Sequence, residues 1–152
     1  MSEHLSVEER LARIEGKQAI RELMASYAYG CDNQDRERFL SIWAQDAHWN
    51  LGEAFGAADG RDAIEKVLES IWVASPETRH WITDITVDFT AAGRAAGDAH
   101  TICYIRNAAG DELFCACDYA NEYVEQDGGW AISKCLLTVH WWKTLPFSDL
   151  GS

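Results

Sequence analysis

Residues 112–143 read ELFCACDYANEYVEQDGGWAISKCLLTVHWWK, and the segment divides at its centre. Asp127-Gly128-Gly129 is a tight-turn sequence. Strands are expected on either side, over Glu112–Glu125 and Trp130–Lys143. Both exceed the usual strand length, so they must twist and bend strongly. On the first, Cys117, Tyr119, Asn121 and Tyr123 share a face. On the second, an inward Cys135 brings Leu137, Val139 and Trp141 inward with it and turns Lys134, His140 and Trp142 outward. Cys115-x-Cys117 lacks the spacing of a zinc knuckle and reads as two small apolar residues on one strand face.

The period-two pattern begins earlier. From His80 to Thr90 the odd positions Trp81, Ile85, Val87 and Phe89 are apolar, while Asp84, Thr86 and Asp88 are polar. That predicts a half-buried strand. Ala91–Gly97 reads as a hairpin connection, Asp98–Arg106 as a further strand and Ala108–Asp111 as a turn.

Upstream the period is helical. Ser6-Val7-Glu8-Glu9 is a capping box, opening a helix that carries Leu11, Ile14, Ile20, Leu23 and Tyr27 toward the core. Gly16 weakens or kinks this helix, and Gly30 suits its stop. A short helix is expected over Arg36–Trp43, with Phe39, Ile42 and Trp43 inward. A strand over Ala47–Leu51 and a loop over Gly52–Gly60 follow. Arg61–Trp72 fits the helical template with Ile64, Val67, Leu68 and Ile71, and Pro76 ends that region. The tail after Pro146 is expected to be loosely held.

Helices first and long antiparallel strands after define an α+β protein. The expected architecture is one domain over residues 1–152, its curved antiparallel sheet wrapped around the N-terminal helices as a cone with an internal pocket. No repeat or linker interrupts it.

The formal net charge of −12 argues against nucleic acid and anionic membranes as partners. No apolar run approaches membrane-spanning length. The five cysteines follow a polar N-terminus without a signal-peptide core, which points to free thiols in a reducing cytoplasm.

Tyr27-Ala28-Tyr29-Gly30-Cys31-Asp32 delivers a phenol and a carboxylate to the end of the first helix. His80 opens the first long strand. If the cone brings these together in an apolar pocket, Asp32 and His80 form a general base working near neutral pH, with Tyr27 as a hydrogen-bond donor. Seven tryptophans in this length suit walls for a flat hydrophobic ligand. Trp49 and Ile71 are placed at the pocket mouth or floor. His48 lies near the mouth, as a surface residue or a second acid–base group. His100 could occupy either sheet face; if it faces outward, Thr101 and Cys103 line the pocket instead. His140 has the wrong parity, and the histidines lack metal-ligand spacing, so no metal is expected.

Tyr27-x4-Asp32, Ile42-Trp43 followed by Asp46-Ala47 and Trp49, His80, Asn121-Glu122-Tyr123 and Asp127-Gly128-x-Trp130-x-Ile132-Ser133-Lys134 come in an order and spacing that resemble the SnoaL-like branch of the NTF2-like superfamily. The nearest members in pattern are the scytalone dehydratase, bile-acid 7α-dehydratase and hexachlorocyclohexane dehydrochlorinase group. The resemblance covers nearly the whole chain. It implies a cone fold, no cofactor, a homotrimer, and an Asp–His dyad that removes a proton in an elimination. By position it makes Asp32 the dyad carboxylate, His80 the base and Tyr27 the donor to substrate oxygen. It also turns Tyr119 inward, beside Trp49, Ile71, Cys135, Leu137 and Val139 as substrate-binding residues. The dehydrochlorinase pattern places a lysine and an arginine where this chain has Tyr27 and Cys135. The cations that steady a departing halide are therefore missing.

The reading that follows is a cofactor-independent dehydratase, a lyase acting next to a carbonyl of a small hydrophobic cyclic substrate. The alternatives are a ketosteroid-isomerase-like isomerase or polyketide cyclase, and a non-catalytic ligand-binding module of the same fold.

Overall fold

A computed structural model describes residues 5–53 and 55–144. The expectation for the tail after Pro146 lies outside the described residues. Helix α1 spans Val7–Asp32 and opens on the expected capping box, in which Ser6 Oγ accepts from the Glu9 amide and the Glu9 carboxylate accepts from the Ser6 amide. Helix α2 spans Arg36–Ser41, capped by Asp35, and α3 spans Arg61–Ala74. The strands are β1 (Trp43–Asn50), β2 (Ala57–Asp59), β3 (Glu77–Thr83), β4 (Asp88–Ala91), β5 (Arg94–Arg106), β6 (Glu112–Gln126) and β7 (Gly129–Thr144).

The α+β arrangement is the one the sequence indicates, with one addition: the sheet is mixed. Its order is β2-β1-β7-β6-β5-β3, with β4 also on β5, and it curves without closing. Neighbours run antiparallel except β1 and β7, which are parallel. The expected loop over Gly52–Gly60 contains β2, and Trp43 belongs to β1 rather than to the second helix.

The packed face of α1 is formed by Ile20, Met24, Tyr27 and Cys31, at helical spacing. Leu11 and Ile14 are 52% and 64% exposed, so the first turns do not reach the core as expected. Gly16 does not break the helix; a Cβ there would meet the Phe89 and Trp130 rings at 3.1–3.3 Å. The core beneath α1 is an aromatic knot of Tyr27, Phe39, Trp43 and Trp49. Their ring centroids lie 5.1–6.2 Å apart in tilted and edge-on pairs. Such pairs are worth about 0.5–1.5 kcal/mol each beyond the area they bury.

Three one-residue irregularities set which residues face the pocket. The first lies in the expected His80–Thr90 strand, which splits into β3 and β4. Register slips by one residue between Thr83↔His100 and Asp88↔Ala96, around Asp84 with its φ of +51°. Before the slip the even residues Thr78, His80 and Ile82 face in; after it Ile85, Val87 and Phe89 do. An unbroken strand with Val87 and Phe89 inward would have turned His80 to solvent. The second irregularity leaves Ser133 as an extra residue on β7, and the third leaves His140 extra between Val139 and Trp141. The last corrects the parity expected for the strand end: Trp142, not Trp141, joins Cys135, Leu137 and Val139 on the inner side.

Gly30 is also corrected. It does not stop α1, which runs on to Asp32 with Asn33 as its cap. Gly30 is instead the point where α2 crosses closest, and a Cβ there would sit 2.9 Å from both the backbone nitrogen and the Cβ of Phe39. Gly→Ala inside a helix is ordinarily worth about 1 kcal/mol in stability. Here the overpacking cost of about 1–3 kcal/mol opposes it. Gly30→Ala is expected to lower the thermal midpoint by several degrees; an unchanged or raised midpoint in calorimetry would show that the α1–α2 crossing yields freely.

Candidate active site

The inner face of the sheet and the end of α1 enclose a pocket of about 640 Å³, its open mouth included. Its wall is predominantly aliphatic, aromatic and sulfur-bearing. Of the residues expected to contact a ligand, Tyr27, His80, Trp49, Ile71, Tyr119, Leu137 and Val139 line it. Cys135 faces the same way but has no exposure and is sealed in the core. Phe55 and Trp142 also line it, with ring centroids 5.9 Å apart.

Asp32 and His80 meet at its polar end. His80 Nδ1 lies 2.6 Å from Asp32 Oδ1, and the two side chains are only 10% and 11% exposed. The carboxylate also accepts from the Thr78 hydroxyl at 2.8 Å and from the His80 backbone amide at 2.8 Å. Burial pushes the Asp32 carboxyl upward, but the hydrogen bonds and charge attraction of His80, with Thr78, outweigh it. They hold Asp32 below its ordinary value. An ionised carboxylate only accepts, so the proton of a neutral His80 sits on Nδ1 and the Nε2 lone pair is left free. Thr78 escaped the sequence reading. Its position, two residues before His80 on the same strand, was the available signal.

Tyr27 is buried, and its ring stands edge-on to His80 at 6.0 Å between centroids. Burial raises its phenol well above the ordinary value, as it does that of Tyr119, whose ring packs edge-on against Tyr27 at 5.3 Å between centroids. Both phenols therefore stay protonated at physiological pH.

The remaining histidines lie elsewhere. His48 pairs with Asp59 at 2.7 Å, away from the residues that line the pocket. His100 faces outward, so Thr101 and Cys103 line the pocket as the alternative placement required. His100 and His140 each bond the Asp118 carboxylate at 2.6 Å on the outer face, and that carboxylate raises the His100 imidazole. Cys31, Asp32 and His80 offer donor atoms within 4.8 Å of one another. Burial and then the Asp32 charge push the Cys31 thiol up to about 12, so it stays protonated and is a poor metal ligand. Among the described residues that line the pocket there is no lysine or arginine.

Three sulfurs and His80 share one wall. Cross-strand pairing sets His80, Cys103, Cys115 and Trp142 side by side in one row over β3, β5, β6 and β7. The next row holds Ile82, Thr101, Cys117 and Val139. Cys117 Sγ lies 3.6 Å from Cys115 Sγ.

These features define a cone-shaped α+β protein with an apolar pocket and a hydrogen-bonded Asp32–His80 pair at its polar end. The chain belongs to the SnoaL-like family, whose profile matches residues 12–135. It is 30% identical over 126 residues to hexachlorocyclohexane dehydrochlorinase 1 of Sphingobium indicum, a span of 82% of this chain and 81% of the relative. The fold superposes on a type 2 hexachlorocyclohexane dehydrochlorinase (LinA) with a TM-score of 0.87 and 26% identity, covering 94% of this chain and 97% of that one. A suspected scytalone dehydratase of Novosphingobium aromaticivorans superposes with a TM-score of 0.79 and 23% identity over 92% of each chain. Among the described residues no helix is long and apolar enough to cross a membrane.

A carboxyl whose folded pKa is depressed contributes stability above its unfolded value, near pH 4, and loses that contribution as the pH falls through the folded value. Asp32→Asn is expected to cost about 1–3 kcal/mol at pH 7, because it leaves buried donors without their charged acceptor. The gap to the parent should narrow as the pH falls below about 4. Urea unfolding at a series of pH values reads both; a gap independent of pH would mean that the Asp32 charge does not support the fold.

Proposed function

We propose that the protein is a cofactor-independent lyase that removes a proton next to a carbonyl of a hydrophobic cyclic substrate and expels a hydroxyl group as water. The observation that carries this reading is the 2.6 Å contact of His80 with Asp32 at the end of an apolar pocket. His80 Nε2 takes the proton. Asp32 holds the ring in that tautomer and stabilises the imidazolium that forms. Tyr27 donates to the enolate oxygen as charge develops on it. Water then leaves, and the imidazolium is the nearest proton source for the departing hydroxyl. The enclosing walls, Trp49, Ile71, Tyr119, Leu137 and Val139, hold the ring system by area and keep bulk water from the carbanion.

The dehydrochlorinase relatives support a second reading, the same proton abstraction followed by loss of chloride. It demands a partner for the leaving anion. The pocket lining, with no cationic side chain among its described residues, favours a leaving group that departs as neutral water. A homotrimer, as the resemblance implies, is part of the proposal and is read by sedimentation.

The test uses cyclic β-hydroxyketones of graded size in deuterium oxide. Exchange at the α-carbon and enone formation are followed by NMR and absorbance, and chloride release from hexachlorocyclohexane is assayed alongside. His80→Ala is expected to lower exchange and elimination by about 10²–10⁴-fold. Tyr27→Phe should lower them by about 10²–10³-fold, as loss of one oxyanion donor does. Exchange that persists in His80→Ala would remove His80 from the role of base. Chloride release without dehydration would decide for the second reading.

A further inference from the structure

Cys103, Cys115 and Cys117 form a cluster of their own beside the core. They are 3%, 3% and 4% exposed, and Ile105, Leu137 and Val139 pack against them. All three line the pocket. Cys115 sits at the centre: Cys117 lies 3.6 Å away along the same strand, and Cys103 stands directly opposite on β5. Each adjacent pair of sulfurs thus includes Cys115. The proposed elimination uses none of these thiols.

The surroundings decide what such a cluster can bind. A divalent ion takes about four ligands, so two thiolates leave its coordination unfilled, and a third thiolate leaves a net negative charge inside an apolar wall. That charge carries a desolvation cost which no lysine or arginine among the described pocket-lining residues offsets. Trivalent arsenic avoids the cost. A monosubstituted arsenical, hydrated as R–As(OH)₂, exchanges its two hydroxyls for two thiolate sulfurs. Two As–O bonds break and two As–S bonds form. The two thiol protons leave with the hydroxyls as two molecules of water. Arsenic stays trivalent, and the adduct is neutral. An aryl group on arsenic would occupy the same apolar space that Leu137, Val139 and Trp142 border.

We propose that Cys115, with Cys117 or Cys103 as second ligand, forms a chelating site for trivalent organoarsenicals on the pocket wall. A bound arsenical also blocks the dyad, because Cys103 is the cross-strand neighbour of His80. The inference is independent of the lyase reading.

The probe is phenylarsine oxide, added to the native protein and read by native mass spectrometry. The expected result is one phenylarsenic group per chain, removed by a 1,2-dithiol but not by a tenfold larger amount of monothiol. Cys115→Ser should abolish the adduct, with circular dichroism to confirm that the variant is folded. Cys31→Ser, which alters a different pocket sulfur, should retain it. An adduct that persists in Cys115→Ser, that disappears in Cys31→Ser, or that forms only after denaturation would overturn the proposal. Should Cys115→Ser fail to fold, mapping the modified peptide in the parent protein gives the same decision. Because mass is the readout, absence of elimination activity does not touch this result, and absence of the adduct does not touch the lyase reading.

Discussion

A carboxylate at the last residue of a helix faces the negative end of the peptide dipoles, and α1 has no basic residue in its last turn to offset this. Asp32 is held there in spite of that, nearly buried, by three donors from a single strand: the Thr78 hydroxyl, the His80 amide and the His80 ring. Those bonds fasten the end of α1 to β3. They fix the position of the helix over the sheet, the ionisation of Asp32 and the tautomer of His80 together. The pocket exists because the helix ends where it does, and the helix end is kept by the same contacts that prepare the imidazole.

The wall opposite is built by the pairing of strands far apart in sequence. The row His80, Cys103, Cys115 and Trp142 takes one residue from each of four strands. Its character is soft and apolar at one end and acid–base at the other. A molecule lying along it would meet polarisable sulfur and indole surface next to the imidazole.

The elements were legible in the sequence where local chemistry is strong: the capping box at Ser6, the turn at Asp127-Gly128, and the alternation along β6. The meeting of Asp32 with His80 followed from the resemblance and from the order of elements. What the sequence concealed is what local pattern does not encode. The parallel pairing of β1 with β7 is non-local. Gly30 looked like a helix stop because a crossing helix leaves no local mark. The extra residues at Asp84 and His140 leave the hydrophobic alternation almost intact while reversing which side faces in. Hence simple alternation puts Trp142 on the outer face, and the odd-residue pattern of His80–Thr90 conflicts with an inward His80; the slip at Asp84 reconciles the two. Cys135 was rightly oriented but lies too deep, a matter of depth that parity alone does not give.

The irregularity at His140 has an evolutionary side. Because one additional residue inverts the phase of the strand end, inserting one residue after His140 with the bulge kept would exchange Trp142 for Trp141 at the entrance, whereas deleting His140 would only straighten the strand and leave Trp142 opposite Cys115. Relatives of this fold thus have a route to remodelled entrances through length variation within a strand, a kind of change that comparisons of aligned positions would register only as a gap.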